Sequence, residues 1–137
     1  MTSKRWRCPA CKREFTRANQ RHACGTGERA AVLRNRPPEL VAVYSKLEAL
    51  AKSLGPVEFV ARERYVLMRT VRIFADVVVM AACIRLAIHL PRKLQHPLFT
   101  KVVAGDRHVT HVALLHAAAQ VDEVEVFLRE AYTYSLR

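Results

Sequence analysis

Long apolar runs, leader segments and repeats are all missing from this sequence, and each absence excludes a class of protein. No apolar run approaches the roughly 18 residues that a membrane-spanning helix needs. The opening segment Met1–Arg7 lacks the apolar stretch of a secretory signal, so we expect a cytoplasmic protein with no membrane partner. The 137 residues, of which 51% are hydrophobic and 26% charged, instead match one globular domain with a small appendage.

Enzyme motifs are also missing. No Asp or Glu is followed two residues later by Lys, as in metal-dependent nuclease cores, and no Gly-x-Ser-x-Gly, glycine-rich phosphate loop or His-Glu-x-x-His occurs. The nearest approach to a catalytic cluster combines one carboxylate with three imidazoles: Asp106, His108, His111 and His116. On a strand, however, His108 and His111 would point to opposite faces. We therefore expect a binding protein rather than an enzyme.

Acidic residues are few, and the basic residues that outnumber them are unevenly placed. The chain has 23 Lys and Arg against 12 Asp and Glu, a formal net charge of +11. Residues 1–36 hold ten of these basic residues and only two carboxylates, Glu14 and Glu28. This concentration predicts an anionic partner, which is either DNA or RNA, or an acidic protein. The alternative is a charged surface that only keeps the protein soluble.

Three of the 4 cysteines lie in the first 24 residues, a distribution unlike that of an extracellular disulfide framework. A Cys-x-x-Cys turn is followed, after ten residues, by His-x-Cys, and together they supply the closed shell of a structural Zn²⁺ site: Cys8, Cys11, His22 and Cys24. A redox Cys-x-x-Cys is the alternative, but no strand-like run precedes Cys8. We predict a zinc-finger-like module over residues 1–25 whose fold depends on the metal.

The spacing Cys-x₂-Cys-x₃-Phe is typical of the hairpin that opens a small ββα finger, with Phe15 as its first core residue. The end of the module differs, because His22 and Cys24 are two residues apart and point in different directions on a regular helix. A short helix capped by Thr16 would therefore end near Arg21. Its surroundings expose side chains that suit contacts with phosphates and base edges: Arg13, Arg17, Gln20 and Arg21.

Glycine and proline mark residues 26–38 as a linker, although Val32 and Leu33 could dock on the following domain. A helix is expected after Pro38, and Gly55-Pro56 would end it. Its apolar positions recur at helical spacing: Leu40, Val43, Tyr44, Leu47, Leu50 and Leu54. Residues 39–137 are therefore predicted to form the main domain.

Strand-like runs follow this helix, over residues 57–61, 65–69, 73–80, 83–90 and 108–115. The links between the first four are too short for helical crossovers, so neighbouring strands should be antiparallel. A second amphipathic helix is expected from about Ala119 to Tyr132. The predicted fold class is α+β, with an antiparallel sheet of about five strands packed by an N-terminal and a C-terminal helix.

Two further features of the strands bear on function. Arg69, Arg85 and His111 belong to different strands and could converge on one sheet face as a candidate anion pocket, or they could be ordinary solvated positions. Cys83, in an apolar strand, is expected to be a buried thiol.

Scattered positions of the predicted domain form a recognisable pattern: Leu40-x₃-Tyr44-x₂-Leu47, Phe74-Ala75-Asp76, Arg85-x₃-His89-Leu90-Pro91, Val109-Thr110-His111-Val112 and Leu128-Arg129-Glu130-Ala131-Tyr132. Over residues 39–134 this pattern resembles the bacterial family catalogued as domain of unknown function 5655. The segment from Trp6 to Phe15, with Asn19-Gln20-x-His22-x-Cys24, is similar to the small zinc module that often precedes that domain. The resemblance implies a zinc module fused to an α+β domain, and it implies no established activity.

The sequence thus favours a zinc-binding protein that binds nucleic acid weakly through its basic finger, with structural Zn²⁺ as its only cofactor. The alternative is a protein-interaction adaptor without catalytic activity, whose partner would carry acidic charge. Salt-dependent binding to nucleic acid distinguishes the two hypotheses.

Overall fold

The computed structural model describes residues 6–7, 14–15, 32–62 and 64–137. Two short strands near the N-terminus, β1 (Trp6–Arg7) and β2 (Glu14–Phe15), pair with each other. The remaining described residues confirm the predicted α+β class, because an antiparallel sheet is packed by one helix before it in the chain and one after it. Within the described ranges, no helix is long and apolar enough to cross a bilayer.

Helix α1 (Pro38–Leu54) forms where the sequence predicts it. Pro38 stands in the first turn, where the missing N–H has no helical partner to lose. One face of the helix is buried in the core: Leu40, Val43, Tyr44, Leu47 and Ala51. This stripe places α1 against the helix at the other end of the domain.

The chain leaves α1 through Gly55, whose φ of +143° and ψ of −167° lie in a region that is essentially restricted to glycine. The hydroxyl of Tyr132 lies against Gly55 and donates a hydrogen bond of 2.8 Å to the carbonyl of Pro56. A Cβ atom at position 55 would collide with that hydroxyl. The turn after α1 is therefore fixed by a side chain from the end of the domain.

Six strands of one sheet follow α1 in chain order: β3 (Glu58–Ala61), β4 (Tyr65–Arg69), β5 (Ile73–Val79), β6 (Ile84–Leu90), β7 (Phe99–Ala104) and β8 (Val109–Leu115). Their spatial order is β3-β4-β5-β6-β8-β7, and every neighbouring pair is antiparallel. All the predicted strands are present, and the antiparallel arrangement expected from the short links is confirmed.

Strand β7 is the one addition that the sequence does not predict. It lies in the segment interpreted as a loop and forms an edge of the sheet, pairing with β8. A bulge between Phe99 and Lys101 interrupts the pairing, and most of the strand is exposed. A short edge strand with a bulge produces no clean period-2 alternation, so periodicity does not reveal it.

Helix α2 (Ala119–Ser135) packs across β5 and β6 and runs three residues beyond its predicted end. The side-chain oxygen of Gln120 accepts hydrogen bonds from the backbone N–H groups of His116 and Ala117, at 2.6 and 3.1 Å. One face of the helix is buried: Val121, Val124, Leu128, Ala131, Tyr132 and Ser135. This stripe and α1 cover one face of the sheet.

Strand register separates the side chains of the sheet into two sets. Ile84, Leu86, Ile88 and Leu90 of β6 are fully buried in the same core cluster as the helices. The alternate residues of β6 point away from the helices, onto what we call the free face: Arg85, Ala87 and His89. Cys83, just before β6, is a buried free thiol, as predicted.

Candidate nucleic-acid interface

The N-terminal strands β1 and β2 form an antiparallel pair in which Trp6 lies opposite Phe15 and Arg7 opposite Glu14. The segment between them carries the Cys-x-x-Cys sequence. This pairing is the one that the predicted hairpin requires.

The residues predicted to bind zinc and nucleic acid lie outside the described ranges: Cys8, Cys11, His22, Cys24, Arg13, Arg17, Gln20 and Arg21. Among the residues that the structure does describe, no group of three or more His, Cys, Asp or Glu is placed to hold a metal ion. The zinc module therefore remains a prediction from the sequence.

A turn over residues 32–36 carries the chain onto the domain and fixes Arg36. Val32 is buried in the core. Asn35 adopts a left-handed conformation with φ of +60°, which Asn tolerates better than most residues. The Nε atom of Arg36 donates a hydrogen bond of 3.1 Å to the carbonyl of Val79. This bond holds Arg36 against the end of β5, and Arg34 stands two residues before it on the same turn.

Arg34, Arg36 and Arg64 line a surface concavity of about 410 Å³, which we call the arginine groove. Arg64 comes from the link between β3 and β4. The rest of the lining is apolar: Val32, Val78, Val79 and Met80. Within the described chain, no carboxylate lies at salt-bridge distance from any of the three arginines. Among the described residues, the groove therefore gathers guanidinium charge that no carboxylate offsets.

The surface of α2 differs from the groove, because its basic neighbours are paired. Arg92 donates to Glu130 at 2.9 Å, and this hydrogen bond raises the pKa of Arg92 above its ordinary value. Arg129 lies 3.3 Å from Glu125 on the same helix. Paired charges of this kind attract an external anion weakly. The groove arginines differ from Arg92 and Arg129, because no carboxylate of the described residues pairs with them.

The candidate anion pocket of Arg69, Arg85 and His111 is not formed. Arg69 and Arg85 both lie on the free face, but the register places them four residues apart along the strands and two strands apart, a separation of about 13 Å or more. His111 pairs with Ile88 and faces the helices, on the opposite side of the sheet from Arg85. The prediction that the three side chains converge is wrong for this reason.

His111 instead has a structural position in the core, where it is fully buried. Its Nε2 atom accepts a hydrogen bond of 2.9 Å from the backbone N–H of Leu94, and its Nδ1 atom lies 3.0 Å from the carbonyl of Val109. Its ring packs against Phe99 with centroids 4.9 Å apart. Both nitrogens are therefore engaged within the protein.

Arg85 is also less available than the groove arginines, because it lies 3.7 Å from a carboxylate oxygen of Asp76. Burial raises the pKa of Asp76, and the nearby His89 and Arg85 partly oppose this shift. The charge of Arg85 is thus partly compensated by its neighbour. We exclude it from the interface on this ground.

A comparison with known protein families identifies the domain formed by the two helices and the antiparallel sheet. A family model described as a domain of unknown function (DUF5655) matches residues 30–135. The chain belongs to the DUF5655 family. The match starts before α1, so the DUF5655 domain includes the turn in which Val32 enters the core. No curated protein and no solved structure matches the chain.

The sequence does not single out Arg34, Arg36 or Arg64 as site residues of the DUF5655 protein. The first two contribute to the basic charge of residues 1–36, and Arg64 stands in a short link between strands. The one sequence feature that pointed to this region was Val32, an apolar residue within the predicted linker. The structure shows that Val32 is buried and anchors the turn that follows it.

Proposed function

We propose that this DUF5655 protein binds nucleic acid along a basic surface formed by its N-terminal segment and the arginine groove. The supporting observation is the groove itself, where Arg34, Arg36 and Arg64 meet without a carboxylate beside them in the described chain. Guanidinium groups bind phosphate oxygens through paired N–H donors. The groove directly follows, along the chain, the most basic part of the sequence.

Zinc has a structural part in this proposal. Its ligands would be Cys8, Cys11, His22 and Cys24, which fill all four positions of a tetrahedral site and leave none for substrate. The pairing of β1 with β2 on either side of the Cys-x-x-Cys sequence fits a hairpin closed by a metal. The metal would hold the finger in shape, and its arginines and one glutamine would contact the nucleic acid: Arg13, Arg17, Arg21 and Gln20.

The expected binding mode is electrostatic. Arginines in a groove and on a small finger contact mainly phosphates, which carry no sequence information. A single short finger offers few base contacts, so binding should be weak, nearly independent of sequence and steeply dependent on salt.

The test compares two double variants in fluorescence anisotropy with short labelled duplexes over a range of salt concentrations. Arg34→Ala/Arg64→Ala should weaken binding and flatten the log–log salt slope by about 0.9 for each phosphate that the protein no longer neutralises. The matched control, Arg92→Ala/Arg129→Ala, changes the net charge equally but removes paired arginines, so its slope should stay near that of the wild type. Equal effects of the two double variants would show that the groove has no special role.

The finger is tested separately with Arg13→Ala/Arg17→Ala/Arg21→Ala. This triple variant should bind all sequences less tightly and retain its zinc, because none of the three residues is a predicted ligand. Unchanged binding would remove the finger from the interface. Undetectable binding by the wild type at low salt would reject the whole proposal.

A protein-interaction adaptor is the second candidate, and the free face favours it. Tyr65 lies on this face and is 39% exposed, and Val103 on β7 is 46% exposed. The register places these two side chains on β4 and β7, so they would provide two separate apolar contacts rather than one patch. If the anisotropy experiment detects no nucleic acid binding, the adaptor hypothesis gains, and the basic residues become a docking surface for an acidic protein.

A further inference from the structure

A second concavity, of about 240 Å³, lies at the end of the sheet opposite the arginine groove. It is bounded by the link between β4 and β5, the link between β7 and β8, and the last turns of α2. Most of its surface is apolar: Ile73, Phe74, Ala131 and the ring of Tyr134. We call it the imidazole pocket, after the two histidines that complete it.

Apart from Tyr134, the ionisable residues that line the imidazole pocket are two arginines and two histidines. Arg72, Arg107, His89 and His108 line it, whereas no Asp or Glu does. An apolar cavity with convergent cationic donors is the usual form of a site for a small organic anion.

Arg72 is held in place and still lacks a counter-ion. Its guanidinium lies over the ring of Tyr134 at 4.9 Å, and one terminal nitrogen donates a hydrogen bond of 3.2 Å to the Tyr134 carbonyl. Its Nε atom is buried without a hydrogen-bond partner. No carboxylate of the described chain lies at salt-bridge distance. A guanidinium fixed by these contacts is oriented before any anion binds.

The C-terminal end of α2 carries partial negative charge on its last carbonyl groups, but this charge repels an anion in the pocket only weakly. The backbone N–H groups of Leu136 and Arg137 bond the carbonyls of Thr133 and Tyr134. Arg72 adds a further donor to the second of these. The negative end of the helix is therefore largely satisfied by the protein.

His89 and His108 stack with ring centroids 4.1 Å apart and planes inclined by 11°. The Nδ1 atom of His89 lies 3.2 Å from the carbonyl of Ile73, and its Nε2 atom lies 3.8 Å from Asp76. Burial lowers the pKa of His89, and the charge of His108 lowers it further. Two stacked imidazoles repel each other when both are protonated, so an anion beside them favours protonation.

We propose that the imidazole pocket binds a small aromatic carboxylate, with its carboxylate toward Arg72, Arg107 and the imidazole pair and its ring against the apolar wall. The apolar surface calls for an apolar body, and the small volume limits that body to about one ring. One compact anionic group matches an unpaired guanidinium. This site is independent of the proposed nucleic acid interface, because it lies at the opposite end of the sheet.

The experiment uses the full chain and three probes: benzoate, benzamide and acetate. They separate the need for a negative charge from the need for an aromatic ring. Benzoate should bind with a dissociation constant on the order of 1 mM and shift the amide NMR signals of the pocket residues. Benzamide lacks the charge and acetate lacks the ring, so each should bind about tenfold more weakly. Equal affinity for benzoate and benzamide, or for benzoate and acetate, would overturn the proposal.

Variants place the site in the pocket. Arg72→Gln keeps a donor for the Tyr134 carbonyl but removes the charge, and it should weaken benzoate binding about tenfold. Arg107→Gln, at an exposed position, should weaken it as well without disturbing the fold. Arg129→Gln, on α2 but paired with Glu125 outside the pocket, is the matched control and should bind as the wild type does. If Arg72→Gln unfolds, Arg107→Gln decides: an unchanged affinity there would overturn the site.

The affinity for benzoate should also rise as the pH is lowered from 8 to 6, because protonated imidazoles favour the anion. The groups that face His89 come from every neighbouring element: Asp76 on β5, Arg85 on β6, His108 and Arg107 in the β7–β8 link, Arg72 in the β4–β5 link and Tyr134 on α2. Of these, His89 is the group whose pKa burial holds below 6.5 in the free pocket, and a bound anion would favour its protonated form. A benzoate affinity that does not change with pH would overturn the part assigned to the imidazole pair.

Discussion

Gly55 is the residue at which a single methyl group should have the largest local effect. Its φ of +143° is strained for any residue with a Cβ atom, and that Cβ would meet the hydroxyl of Tyr132. We predict that Gly55→Ala lowers the free energy of unfolding by about 1–3 kcal/mol, measured by urea denaturation. Tyr132→Phe removes both the clash and a hydrogen bond to Pro56. The double variant should therefore lose less stability than the sum of the losses in the two single variants. A loss equal to that sum would contradict the contact.

His89 should make stability depend on pH in a defined direction. Burial and His108 hold its folded-state pKa below the ordinary value of 6.5, so the unfolded chain binds the proton first as the pH falls. Stability from this residue is present above pH 6.5 and is lost as the pH falls from there through the folded-state pKa. We predict that the wild type loses more stability than His89→Gln between pH 7.5 and 5.5, measured by thermal denaturation. A greater loss in the variant would show that the sign is wrong.

Asp76 acts in the opposite direction. Its folded-state pKa is raised above 3.8, so it contributes stability as the pH falls through that raised value. Protonation of Asp76 would therefore reduce the loss of stability that His89 causes as the pH falls. The two shifts share one cause, since both groups are removed from water on the same face of the sheet.

At the scale of elements, the pattern of apolar residues predicts the presence of a helix or strand. It is less informative about which of a strand's two alternating sets of side chains is buried. In β6 the two alternating sets differ clearly, because Arg85 and His89 interrupt only one of them. In β8 both sets are largely apolar, so the sequence could not show that His111 joins the buried one. Only pairing with β6 fixes that choice. The predicted anion pocket failed at this step, although all the strands it used are present.

The two concavities could not be predicted from the sequence, for a related reason. The arginine groove combines residues from the turn before α1 with Arg64 and the end of β5. The imidazole pocket joins His89 to His108 across two links and the last turns of α2. Both depend on which strand ends meet, and spatial order in a sheet is not a local property of the chain.

The turn at residues 32–36 is the element that links the basic segment to the domain, and Val32 anchors it. Val32 is 6% exposed, whereas Val71, in the link between β4 and β5, is 63% exposed. We predict that Val32→Ala lowers the free energy of unfolding by about 1–2 kcal/mol, because it removes two buried methyl groups and leaves a gap. Val71→Ala is the matched control and should change it little. Equal small effects in urea denaturation would mean that the turn is not docked.

At the scale of the whole molecule, positive charge is divided between two ends of one sheet. The arginine groove is an open surface that follows the basic N-terminal segment along the chain, and its charge suits the phosphates that we propose it binds. The imidazole pocket is smaller and mostly apolar, and it suits a single small anion. On and beside the helices, Lys46, Arg92 and Arg129 are each paired with a carboxylate. The two proposals therefore assign different anions to cavities at opposite ends of one antiparallel sheet.

Removal of zinc should separate the two parts of the chain. The domain has its own core of two helices and six strands, whereas the first 25 residues contain few large apolar side chains and are predicted to need the metal. We predict about one zinc per chain by elemental analysis, and none in Cys8→Ser/Cys11→Ser. A chelator, or this double variant, should weaken duplex binding while the thermal unfolding of the domain, followed by circular dichroism, stays within a few degrees of the untreated protein. Loss of the domain's cooperative transition on chelation would show instead that the metal site completes the core, because a site confined to the finger cannot unfold a sheet it does not support.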